Sequence, residues 1–157
     1  MTPQELVDRY GLEPIPREGG RFRRTWTGPE RSDGRPEGTA IVALLTAEDY
    51  SALHRLKSDE IWHFYLGDPL TLLLLSPDGT TRSAVLGPDL GRGQQPQLAV
   101  PAGTWMGGRV AEGGAWTFFG CTTTPGFTYE DYEHGVAADL AARYPGEAAR
   151  IMTLCRP

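Results

Sequence analysis

Turn chemistry recurs along the middle of this chain at intervals too short to admit helices. Gly67-Asp68-Pro69, Ser76-Pro77-Asp78-Gly79, Gly87-Pro88-Asp89, Pro101-Ala102-Gly103 and Glu112-Gly113-Gly114 each combine residues that favour tight backbone reversal. Between and around them lie Thr39–Leu45, Ser51–Leu56, Ile61–Leu66, Leu70–Leu75, Thr81–Leu86, Gln97–Val100, Trp105–Val110 and Trp116–Thr122. These are stretches of strand length, rich in the branched and aromatic residues that suit a pleated, half-buried surface. About eight strands at a spacing of roughly ten residues predict an antiparallel sandwich or barrel. The 20 Gly and 13 Pro among 157 residues agree with that all-β reading and disfavour a helical bundle.

The two ends read differently. Thr2-Pro3-Gln4-Glu5 is a capping box with proline at the first helical position, so a short helix is expected to about Tyr10, stopped by Gly11. Pro14 to Gly20 is a connector, Arg21 to Thr27 a further strand, and Gly28 to Gly38 a solvated, mobile loop. After Pro125-Gly126-Phe127, helical spacing returns over Val136 to Tyr144 and Gly146 to Leu154. This tail is expected to pack across one sheet face or into a dimer seam. One domain over residues 1–157 results: helix and connector over 1–20, strands over 21–126, helical tail over 127–157.

Charge and composition exclude several classes. A net charge of −5, a pI near 5.2 and no Lys/Arg cluster argue against nucleic acid as a partner. No stretch reaches the roughly 18 apolar residues of a membrane span, and Met1-Thr2-Pro3-Gln4-Glu5 lacks signal-peptide character. Two cysteines, Cys121 and Cys155, make no disulfide framework, so a cytoplasmic location is expected.

The densest chemistry sits in Leu53-His54-Arg55-Leu56-Lys57-Ser58-Asp59-Glu60. Two adjoining strands across this turn would aim His54 and Glu60 into one cavity, where the pair could share a metal, share a proton or hold a polar ligand. Strand parity puts Glu60, Trp62 and Phe64 on the inner face and Ile61, His63 and Tyr65 outside. His63 then reads as a hydrogen-bonded structural histidine, unless a β-bulge reverses the parity. Trp62, Phe64 and Trp105 are either core or the flat walls of a ligand cavity. Arg23 could hold a carboxylate or phosphate, or form a surface ion pair. Cys121 reads as a buried, inert thiol.

Two signatures carry a family resemblance. The first is His54 upstream of Glu60, with six residues between Glu60 and Gly67; the second is Pro101-Ala102-Gly103-Thr104-Trp105. With Phe22-Arg23-Arg24-Thr25, Ser58-Asp59-Glu60-Ile61-Trp62-His63-Phe64, Leu86-Gly87-Pro88-Asp89-Leu90 and Gly120-Cys121-Thr122, the chain resembles the cupin superfamily. Within it, the likeness is to a small single-domain branch once classed as a domain of unknown function. That resemblance implies a double-stranded β-helix of jelly-roll type, a cavity-bearing homodimer, and kinship to sugar-nucleotide epimerases and metal-dependent enzymes. Departures from the family's metal pattern are Ala52 for its first histidine, five residues between His54 and Glu60, and Met106 for its third histidine. A thioether is a poor ligand for a hard divalent metal. Three readings follow. One is an isomerase- or epimerase-like enzyme using His54 and Glu60 on a sugar or carboxylate held by Arg23, Trp62, Phe64, Trp105 and Met106. The second is a non-catalytic small-ligand binder; the third is a metal enzyme using His54, Glu60 and His63.

Overall fold

The capping box forms as predicted. The Thr2 amide donates to the Glu5 carboxylate at 2.6 Å, and the Glu5 amide donates to the Thr2 hydroxyl at 3.2 Å. Helix α1 (Pro3–Tyr10) follows and ends on Gly11, whose φ of +63° is the left-handed conformation that stops a helix. This computed structural model describes residues 1–157. The strands are β1 (Glu13–Pro14), β2 (Arg21–Thr27), β3 (Thr39–Thr46), β4 (Ser51–Arg55), β5 (Asp59–Gly67) and β6 (Leu70–Leu75). They continue with β7 (Thr81–Leu86), β8 (Gln97–Val100), β9 (Trp105–Val110), β10 (Trp116–Thr124) and β11 (Glu133–His134). Helices α2 (Ala137–Arg143) and α3 (Ala148–Thr153) close the chain.

Two antiparallel sheets result, ordered β1-β2-β3-β10-β5-β8 and β11-β4-β9-β6-β7. Their inner faces enclose a core that includes Ala43, Leu45, Trp62, Leu72, Leu74, Met106 and Phe119. Strand β6 shows why its sequence is an unbroken run of leucines after Thr71 rather than an alternation. Leu72 and Leu74 face the other sheet, while Leu73 and Leu75 lie in a second cluster with Leu53, Trp105, Leu140, Tyr144 and Ile151. Both faces of the strand are covered, so both must be apolar. The tail therefore packs on the outer face of the second sheet, one of the two places expected for it. Helix α1 caps the outer face of the first sheet, burying Leu6 and Leu12 against Leu44 and Phe118.

The 28–38 loop is exposed over most of its length, as expected, and hydrogen bonds hold its base. The Gly28 amide donates to the Gly38 carbonyl at 2.8 Å, and the Arg35 guanidinium donates to the Gly126 carbonyl at 2.6 Å while pairing with Asp131. This arginine ties the loop to the segment crossing from β10 to β11. No helix is long and apolar enough to cross a membrane.

Candidate functional site

Glu60 opens β5 directly after the turn and faces inward, with Trp62 and Phe64 following it on the same side. His54, on β4 in the facing sheet, is 2% exposed and also turns inward. The connector 15–20 folds into a tight loop in which Arg17 adopts φ +64° and Gly19 and Gly20 adopt φ +99° and +78°. A Cβ on Gly19 would meet the Tyr50 carbonyl at 2.2 Å, so only glycine lets this loop lie against β4. The Ala52 amide, donating to the Glu18 carbonyl at 2.7 Å, completes the docking. It brings the Glu18 carboxyl to 3.2 Å from His54 Nε2.

The hydrogen bonds set the tautomer. His54 Nδ1 lies 2.7 Å from the Ala52 carbonyl, which can only accept, so Nδ1 carries the proton. In the neutral ring Nε2 is then an acceptor turned to Glu18. Burial pushes the Glu18 carboxyl up to about 8; the nearby Ser51 hydroxyl opposes that shift, although it makes no well-formed hydrogen bond. Burial likewise lowers the His54 imidazole, against the opposing pull of Glu60. The contact is therefore a carboxylic acid donating to a neutral imidazole, not an ion pair. Glu60 is raised to about 7, chiefly by burial and further by Glu18, while His54 and the Thr123 hydroxyl at 3.1 Å pull it down.

Both carboxyls open onto one cavity of about 430 Å³. Its walls come from alternate inward residues of the first sheet (Phe22, Ile41, Cys121) and from Phe127, Tyr129 and Tyr132 on the segment that Arg35 anchors. Tyr132 stacks on the His54 ring with centroids 5.3 Å apart, and its hydroxyl lies 2.8 Å from His134 Nδ1. Burial raises the Tyr132 phenol further above its ordinary value, keeping it protonated. Arg23 and Arg24 stand at the mouth.

Of the residues expected from sequence, the structure brings His54 and Glu60 together but keeps His54 off the cavity wall, behind Glu18. Of the five expected ligand-binding residues, only Arg23 lines the cavity. Trp62 is 1% exposed and stacks on Phe119 at 5.2 Å, inside the core; Phe64 packs against the same core. Trp105 and Met106 are neighbours on one strand and must face opposite ways. Met106 takes the core, and Trp105 lies under the C-terminal helices with the Arg55 guanidinium 4.6 Å above its ring. His63 faces outward, 3.1 Å from the Thr122 hydroxyl and stacked on Tyr65, as its parity predicts. Glu18, Phe22, Tyr132 and His134 were missed. The Glu18-Gly19-Gly20 run was the available signal, since paired glycines mark a close backbone approach.

A three-ligand metal set does not fit. His63 is on the other face of β5, Met106 stands where a third histidine would, and both His54 nitrogens have protein partners. No group of three or more His, Cys, Asp or Glu is placed to hold an ion.

Two antiparallel sheets folded over one ligand-sized cavity, with titratable groups at its floor, make this a cupin jelly roll. The chain belongs to the cupin superfamily family DUF985, whose sequence profile matches residues 4–135. Over its whole length it is similar to a protein of Shewanella oneidensis, with 34% identity, 99% of that chain covered and a TM-score of 0.93. A hypothetical protein from Leishmania major is 31% identical over 100% of both chains, with a TM-score of 0.91. A cupin 2 conserved barrel domain protein from Rhodopseudomonas palustris shares the fold at 17% identity and a TM-score of 0.60, over 91% of this chain and 83% of that one. Among curated proteins none matches.

Proposed function

We propose that the cavity performs acid–base chemistry of the isomerase type on a small polar ligand. Glu60 is the base and Glu18 the acid. The observation that carries this is the pairing of two carboxyls that hold protons into the neutral range, facing one cavity and coupled to one imidazole. Near neutral pH Glu60, raised to about 7, is ionised in a substantial fraction and can take a proton from a carbon next to a carbonyl. Glu18, raised to about 8, keeps its proton, which at rest is donated to His54 Nε2 and passes to the carbonyl oxygen only as that hydrogen bond is released. His54 positions the Glu18 carboxyl through the 3.2 Å contact. Turnover then needs Glu60 ionised and Glu18 protonated, so the rate peaks between those two values.

The test is exchange of substrate carbon-bound hydrogen in deuterated water, followed by proton NMR over a panel of oxo acids and sugar acids. E60Q should lose exchange while its circular dichroism stays unchanged. No exchange above buffer with folded protein across the panel would overturn the reading. The remaining one is then a non-catalytic binding cupin, which the fully satisfied hydrogen bonds of His54 also favour.

A further inference from the structure

The charged groups lining the cavity are Glu13, Glu18, Glu60, Arg23 and Arg24. Glu18 and Glu60 both present carboxyl groups to the cavity. At the mouth, Arg23 lies free: Arg31, Arg35, Arg55, Arg92 and Arg156 all have carboxylate partners, and Arg23 has none. Its neighbour Arg24 is engaged with the Phe127 carbonyl at 3.2 Å. The cavity's apolar lining includes Phe22, Ile41, Cys121 and Phe127. Its hydroxyls each already make one hydrogen bond. Thr39 accepts from the Phe127 amide at 3.0 Å, Thr123 donates to Glu60 at 3.1 Å, and Tyr132 is bonded to His134 at 2.8 Å. Tyr129, 60% exposed, belongs to the rim.

A sugar does not suit such a wall. Ring hydroxyls brought from water against Phe22, Ile41, Cys121 and Phe127 would lose hydrogen bonds without replacement, at about 1–3 kcal/mol apiece. A flat apolar ring or short chain meets the aromatic wall at no such cost. We propose that the ligand is a small oxo acid whose carboxylate and carbonyl are separated by an apolar ring or chain. Arg23 binds the carboxylate and the Glu18–Glu60 pair takes the carbonyl. This rests on the acid–base reading and narrows its substrate. The chemistry balances without an oxidant. Glu60 removes a proton from the carbon beside the carbonyl, the C–H electron pair becomes the enol double bond, and Glu18 protonates the oxygen. Reversal returns a proton to carbon.

Three probes separate the possibilities in calorimetric titration: 4-acetylbenzoate, the uncharged 4-methylacetophenone, and glucuronate. The expected result is 4-acetylbenzoate binding at least about tenfold tighter than either of the others, the scale of one charge-assisted contact near the surface. R23A should weaken 4-acetylbenzoate about tenfold and leave 4-methylacetophenone unchanged, and R23K should restore part of the loss. Glucuronate binding as tightly as 4-acetylbenzoate, or no discrimination against the uncharged ketone, overturns the ligand class. The acid–base reading is judged separately, by loss of the acetyl proton signal in deuterated water. Tight 4-acetylbenzoate binding with exchange no faster than buffer upholds the ligand class and overturns Glu18–Glu60 catalysis.

Discussion

Replacing Glu18 by glutamine isolates the proton that this structure keeps on a buried acid. In the unfolded chain that carboxyl loses its proton near its ordinary 4.5; in the folded chain it holds it to about 8. Across that window the folded state binds the extra proton. Stability contributed by Glu18 is therefore fully present below the unfolded value and is lost as pH rises through the folded one. One unmatched proton corresponds to about 1.4 kcal/mol per pH unit. Between pH 7 and 8 the Glu18 contribution is the larger one. Glu60, raised only to about 7, is half protonated at pH 7 and nearly ionised at pH 8, so it adds a smaller decline. His54, lowered from 6.5, is neutral in the folded state and mostly so in the unfolded state. Because Glu18 has given up about half of its proton by pH 8, the loss over that unit is about 1 kcal/mol. Glutamine has the same shape, and its amide donates to His54 Nε2 without titrating, so E18Q should keep only the smaller decline that Glu60 contributes. Urea unfolding at pH 7, 7.5 and 8 reads this directly, as a midpoint falling by about 0.5 M more for the natural protein than for E18Q. Parallel slopes for the two proteins would refute the assignment of a neutral-range proton to Glu18.

Arg35→Ala removes the cation from a partly buried pair with Asp131 and the donor to the Gly126 carbonyl; a loss of about 3 kcal/mol in urea unfolding is expected. Adding Asp131→Ala should recover part of it, because the uncompensated carboxylate is then gone. Met106 lies directly across the β4–β9 ladder from His54. Above pH 8, where Glu18 is ionised and no longer donates to His54 Nε2, Met106→His should therefore create zinc binding at one ion per chain in calorimetric titration, absent from the natural protein; equal zinc affinity in both would refute the donor-set argument. Gly135→Ala would set a Cβ 2.8 Å from the Leu53 carbonyl and 2.8 Å from Leu140, with a strand backbone that cannot yield. An overpacking loss of about 1–3 kcal/mol in thermal or urea unfolding is expected.

Local signals carried the architecture far. Leu70–Leu75, Thr81–Leu86, Gln97–Val100 and Trp105–Val110 form strands with the bounds their composition and flanking turns imply. The inward parity of Glu60 and outward parity of His63 also hold, because the two-residue period of a strand is a property of the backbone alone. The same rule shows that adjacent Trp105 and Met106 could never both line a cavity. What local pattern cannot rank is two apolar faces that are both covered: Trp62 and Trp105 look alike in sequence, yet one fills the barrel core and the other lies under the tail helices.

The candidate site was half legible. His54 and Glu60 stand six residues apart, and a single turn between strands is enough to turn both toward the interior from facing sheets. Glu18 and Tyr132 reach the same place from opposite ends of the chain, through the glycine-dependent approach of the 15–20 loop and the Arg35 anchor on the 126–132 segment. Sequence by itself determined the strand series, the capped first helix and the inward parity of Glu60, since each depends on short-range periodicity and turn chemistry. Only the tertiary structure decided which carboxyl faces the cavity, which aromatics wall it and how the proton is shared. Those outcomes depend on desolvation and on contacts between residues far apart in the chain, which no local pattern encodes.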